Sequence, residues 1–152
     1  FLEKYSGVFC WRVFVHFTYD DAKRVEVCFD EAVRFANFFG EDRVYPEADR
    51  MLSEGDEILF GKERLTVMKT PGHTPGSVCF QIGTNLFTGD TLFAGSCGRT
   101  DFPGGSTKKI MKSLKRLAEL EGNFAVLPGH METSNLETER KRNPYMIQAM
   151  RY

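Results

Sequence analysis

Apolar positions in this chain fall into short runs separated by turn-forming residues. Val8 to Val15 is apolar and aromatic apart from Arg12 and reads as a buried strand, with Val25–Phe29 as a second. Glu57–Phe60 and Arg64–Met68 flank Gly61-Lys62-Glu63, which predicts a hairpin. Val78–Ile82 and Leu86–Thr88 flank Gly83-Thr84-Asn85 and predict another, and Phe124–Leu127 reads as a last buried strand before Pro128-Gly129. Helical spacing appears elsewhere. Asp30 is placed to cap Glu31–Phe38, which Gly40 stops. Ser106 or Thr107 can cap a helix to about Leu120, with Ile110, Met111, Leu114, Leu117 and Ala118 on one face and Gly122 as its end. Thr133–Arg142 reads as a charged helix, and Asn143-Pro144 interrupts it before a Met-rich tail. Residues 41–57 read as loop, and 91–105 are rich in Gly, Ser and Thr. Strands with interspersed helices place the chain in the α/β or α+β class, built in layers.

Composition narrows the function. The 152 residues suit one domain, 1–152, with a real core, and 41% of them are hydrophobic. A net charge of −1 and a pI near 6.4 advertise no basic surface, so no nucleic-acid partner is expected. No apolar run approaches the ~20 residues that span a bilayer, so no membrane is expected either. Cys10, Cys28, Cys79 and Cys97 are scattered without a CxxC pair, as in a reducing, cytoplasmic setting. The first three read as small buried apolar residues.

The chemistry concentrates between Thr70 and Asp90. Thr70-Pro71-Gly72-His73-Thr74-Pro75-Gly76 is a bent, largely pre-set loop holding a histidine, and Asp90 follows Gly89 at a strand's end. His16 and His130 also come directly after apolar runs, so all three histidines fall at strand ends with aspartates nearby. Strand ends are where layered α/β folds gather ligands and metals. A lone histidine is more often structural, but two imidazoles and a carboxylate suffice to hold zinc or ferrous iron with positions open to substrate.

At these residues a family resemblance emerges. Thr70–Ser77, Phe87-Thr88-Gly89-Asp90-Thr91-Leu92-Phe93 and Pro128-Gly129-His130 resemble the metallo-β-lactamase fold, above all its glyoxalase II-like branch, the hydroxyacylglutathione hydrolases. Gly95–Gly105 and Glu139-Arg140-Lys141-Arg142-Asn143-Pro144 are similar to that branch as well. The resemblance implies an αββα sandwich, here without the usual N-terminal strands. It also implies an HxHxDH metal motif, for which His16-Phe17-Thr18-Tyr19-Asp20-Asp21 stands, with Thr18 and Asp21 where the family has histidines. By the same resemblance His16 and His73 belong to one metal site, Asp20, Asp21 and His130 to a second, and Asp90 bridges them. The family carries about fifty further residues ahead of that motif, so the chain, which opens at Phe1, is expected to be a piece of a longer polypeptide or a member with a degraded site.

The expected activity is metal-dependent hydrolysis of a small thioester or ester by metal-activated hydroxide, with Asp20 and Asp90 as the catalytic carboxylates. One or two zinc ions are expected, with iron or manganese favoured as the set gains oxygen ligands. Two alternatives stand beside it. His16, His73 and Asp90 are also a two-histidine, one-carboxylate set, and the persulfide dioxygenases of the same superfamily are similar in using it for one iron; Cys97-Gly98-Arg99-Thr100-Asp101-Phe102 resembles their flanking motif. A non-catalytic binding protein with a degraded site is the other. Arg99 is expected to grip a substrate carboxylate, by resemblance to a glyoxalase II lysine, and Tyr19 to donate to a substrate oxygen. An exposed sheet edge left by missing strands makes a homodimer an expected partner state.

Overall fold

A computed structural model describes residues 52–60, 62–101 and 104–152. Strands β1 (Glu57–Phe60) and β2 (Glu63–Lys69) form the first hairpin, and β3 (Val78–Ile82) and β4 (Asn85–Gly89) the second. A small hairpin of β5 (Leu92–Phe93) and β6 (Ser96–Cys97) follows, then helix α1 (Thr107–Ala118). Strand β7 (Ala125–Pro128), the short β8 (Ser134–Asn135) and helices α2 (Leu136–Arg142) and α3 (Pro144–Met150) complete the described chain.

The main sheet has the order β1-β2-β3-β4-β7-β8. Its pairs are antiparallel except β4 with β7, which run parallel through the crossover that contains α1. Alternation along the strands gives the sheet two apolar faces. Met68, Cys79, Leu86 and Val126 pack against Ile110, Met111, Leu114 and Leu117 of α1 and Met146 and Ala149 of α3. Val67, Val78 and Phe80 pack on the opposite side with Leu52. Each large side chain buried from α1 contributes roughly 1.5–3 kcal/mol, so this stripe is what fixes the helix on the sheet.

The expected architecture holds: the chain is a mixed α+β fold with helices layered on a sheet. Both hairpins and the β7 strand appear within a residue or two of their expected limits. Ser106 is the N-cap of α1, its side chain accepting from Lys109 N at 3.3 Å. The stretch 91–105, read only as rich in Gly, Ser and Thr, contains the β5–β6 hairpin. Two expectations are corrected. The charged helix starts at Leu136, not Thr133, because Asn135 Oδ1 takes Thr138 N at 2.9 Å and caps there. The tail is helical, because Asn143 caps it and Pro144 occupies its first position, where a missing N–H costs nothing.

Candidate metal centre

Asp90 follows β4 and His130 follows β7, so they leave adjacent parallel strands at the same, C-terminal, ends. His73 lies between β2 and β3, and β2 points the same way as β4 because each is antiparallel to β3. One edge of the sheet therefore carries all three. The Asp90 carboxylate divides between the histidines: Oδ2 lies 3.6 Å from His73 Nε2, and Oδ1 lies 2.9 Å from His130 Nδ1. His73 and Asp90 are mostly buried at 14% and 18% side-chain exposure, whereas His130 is 59% exposed and open to a ligand.

The backbone around these residues is closely determined. Gly72 sits against the start of α1, where an added Cβ would lie 2.4 Å from Ile110 N, and its φ of +150° suits glycine. Ser106 N donates to the Gly72 carbonyl at 2.8 Å, and Ser113 Oγ to the Pro71 carbonyl at 2.8 Å. On the other side, Gly98 packs so tightly that an added Cβ would stand 1.8 Å from the Asp90 carbonyl oxygen and 3.1 Å from His73 Cβ. The Gly129 N–H donates to the Gly89 carbonyl at 3.0 Å, joining the ends of β7 and β4. Met131, next to His130, has φ of 70°, a left-handed conformation uncommon for such a residue. His130 also lies against Phe93, ring centroids 4.5 Å apart.

His73 is oriented from behind. Its Nδ1 lies 2.8 Å from the Arg99 carbonyl, which can only accept, so Nδ1 carries the hydrogen. In the neutral ring Nε2 then turns a lone pair toward the Asp90 carboxylate, an arrangement that a cation beside both atoms satisfies. This is the usual second hydrogen bond of a metal-binding histidine. Among the described residues no three His, Cys, Asp or Glu side chains alone converge closely enough to hold an ion. His16, Tyr19, Asp20 and Asp21 lie outside the described residues, so the described half supplies two imidazoles and a shared carboxylate.

Arg99 lies at the rim, but its guanidinium forks onto Asp101, with Nε to Oδ1 at 2.7 Å and a terminal nitrogen to Oδ2 at 2.5 Å. Those bonds hold the exposed Asp101 carboxyl down to about 2. A substrate carboxylate would have to displace Asp101. The Arg99 contribution with the firmest geometry is its carbonyl, a role no side-chain motif announces. Cys97 lines a hollow of about 240 Å³ with Arg99, Thr100, Met111 and Tyr145. Burial pushes its thiol up to about 11, so it stays protonated at neutral pH and is a poor nucleophile. No helix among the described residues is long and apolar enough to cross a membrane.

The model of the Metallo-beta-lactamase superfamily matches residues 13–130. The mitochondrial persulfide dioxygenase ETHE1 of Mus musculus is 40% identical over 105 residues, covering 64% of this chain and 41% of that protein. The crystal structure of ETHE1 from Myxococcus xanthus superposes with a TM-score of 0.62 at 32% identity, over 68% of this chain and 52% of the other. That of TTHA1623 in a di-iron-bound form gives 0.63 at 39% identity, over 74% of this chain and 56% of the other. The chain spans about half the length of the curated relatives it matches.

Proposed function

The chain belongs to the metallo-beta-lactamase superfamily, and within it we propose an iron-dependent, persulfide dioxygenase-like enzyme acting on a small thiol persulfide. The observation that carries this reading is His73 Nε2 facing Asp90 Oδ2 at 3.6 Å, with Nδ1 already committed to the Arg99 carbonyl. Together with His16 these side chains would make the two-histidine, one-carboxylate set that suits non-haem ferrous iron. Similarity to the persulfide dioxygenases and to a protein crystallised with two irons supports iron over zinc.

When bound, ferrous iron supplies the redox chemistry by which dioxygen oxidises the outer sulfur. Overall, a persulfide R–S–SH, dioxygen and water would give the thiol R–SH, sulfite and two protons. The S–S bond breaks, S–O bonds form, and dioxygen accepts the electrons that sulfur loses. The chain's own part is positional. The Arg99 carbonyl fixes the His73 ring, the Gly98 backbone seats Asp90, and the rim loop 97–101 offers a guanidinium for which a substrate carboxylate competes with Asp101. A reducing, cytoplasmic compartment goes with this reading, supported by the free thiols of Cys79 and Cys97.

A second reading is a two-metal hydrolase of the glyoxalase II type, cleaving a small thioester or ester. It is favoured by Asp90 dividing its oxygens between His73 and His130, as a bridging carboxylate would. The test separates the two. The full chain, loaded anaerobically with ferrous iron, is given glutathione persulfide in aerated buffer, and in parallel a glutathione thioester. Oxygen uptake matched by sulfite is expected; thioester cleavage without oxygen uptake would replace the first reading by the second.

A further inference from the structure

Beyond His130 in the chain, Glu139 on α2 and Asn143 at the α2–α3 junction form a buried polar cluster, only 2% and 0% exposed. Glu139 Oε2 accepts from Gly95 N at 2.9 Å and from Asn143 Nδ2 at 2.8 Å, and its Oε1 accepts from Ser134 Oγ at 2.5 Å. Asn143 Nδ2 also donates to the Ser96 carbonyl at 2.9 Å and the Phe93 carbonyl at 3.3 Å. Its Oδ1 caps α3 by accepting from Tyr145 N and Met146 N. A buried carboxylate is costly unless its oxygens are satisfied, and here three donors satisfy them.

Every loop atom this cluster grips belongs to the β5–β6 hairpin. That hairpin presents Phe93, whose ring lies 4.5 Å from the His130 imidazole at an interplanar angle of 50°. His130 is 59% exposed, and among the described residues Phe93 and Asp90 lie against its ring. We propose that Glu139 and Asn143 are positioning residues that set the His130 ring through Phe93, and so tune a second metal position without touching it. The inference rests on the two-metal reading above, in which His130 would serve the second position, and deepens it: the clamp acts on the His130 side of Asp90, not the His73 side.

Three variants separate this role from simple folding. Asn143→Ser keeps a capping oxygen for α3 but cannot reach the Phe93 and Ser96 carbonyls. Glu139→Gln keeps a matching shape and can satisfy the same partners, with its amide donating to Ser134. Phe93→Leu leaves the clamp intact and removes the ring. Ferrous or zinc titrations of the full chain should show second-ion affinity falling roughly 10-fold in Asn143→Ser and Phe93→Leu, the first ion holding, and Glu139→Gln near wild type. In the metal-free protein, cross-peaks between the Phe93 and His130 rings should be present in wild type and Glu139→Gln and lost in Asn143→Ser. Wild-type ring contacts and second-ion affinity in Asn143→Ser, or an equal fall at both ions in a folded variant, would overturn the proposal. If the wild type binds one ion or none, the two-metal reading fails, and the ring cross-peaks still decide whether the clamp positions His130.

Discussion

The hydroxyls of Thr70 and Thr91 meet 2.9 Å apart, both fully buried, and join the loop that carries His73 to the turn that carries Asp90. Thr70 Oγ1 also lies 3.4 Å from Cys79 Sγ, and Thr91 Oγ1 lies 3.5 Å from the Thr70 carbonyl. The two ligand-bearing segments are thus fastened to one another directly beneath the site, before any metal is considered.

Thr70→Val keeps the shape and removes that link. It should cost roughly 1–3 kcal/mol in chemical denaturation, the range for a buried hydrogen bond that loses one partner. Metal affinity should fall with it, and Thr70→Ser should restore both. Valine with unchanged metal affinity would show that the strands alone hold His73 and Asp90 in place.

Gly98→Ala tests the other wall of the site. Its Cβ would stand 1.8 Å from the Asp90 carbonyl oxygen, which is backbone and cannot swing away as a side chain would. The variant should lose at least 10-fold in metal affinity, with a lower Tm in a thermal melt. Gly55→Ala is the control for left-handed strain without contact, since its φ is 78° and nothing lies within 4 Å; it should destabilise slightly and leave metal binding unchanged.

Acid sensitivity is expected at Glu54. Hydrogen bonds from Arg116 hold its carboxyl below the ordinary 4.5, aided by the Lys69 N–H at 2.7 Å. A carboxyl lowered on folding stabilises fully above its unfolded value and loses that contribution as pH falls through the lowered one. Both side chains are over a third exposed, so the contribution is at most about 1 kcal/mol after solvent screening. Glu54→Gln should therefore be slightly less stable than wild type at pH 7 in urea titrations. The two should converge as the solution is acidified below the usual carboxylate range.

Much of this was legible in the sequence wherever one residue type does one local job. The short apolar run Val78–Ile82 beside Gly83-Thr84-Asn85 and the apolar stripe of Ile110, Met111, Leu114 and Leu117 marked a strand and a helix because both are buried. Ser106 was readable as a cap because its side chain acts on its own helix. Asn143-Pro144 misled because the same pair stops one helix and starts the next. The β5–β6 hairpin escaped notice since two-residue strands leave no period to detect; Glu139, which accepts from Gly95 N across 44 residues of sequence, holds it in place. His73, Asp90 and His130 stood out by their place at strand ends. What orients them did not, because the Arg99 carbonyl and the Gly98 backbone are atoms that every residue type possesses.

The central claim is that His73 and Asp90 together hold a metal ion, and metal analysis of three proteins purified side by side tests it most directly. Wild type, His73→Ala and Asp90→Asn would each be loaded anaerobically with ferrous iron, desalted, and measured for bound metal against protein concentration, with circular dichroism confirming that each is folded. The account predicts about one or two ions on wild type, a clear loss on His73→Ala, and the deepest loss on Asp90→Asn, whose carboxylate faces both histidines. Folded variants that keep the wild-type metal content would contradict it.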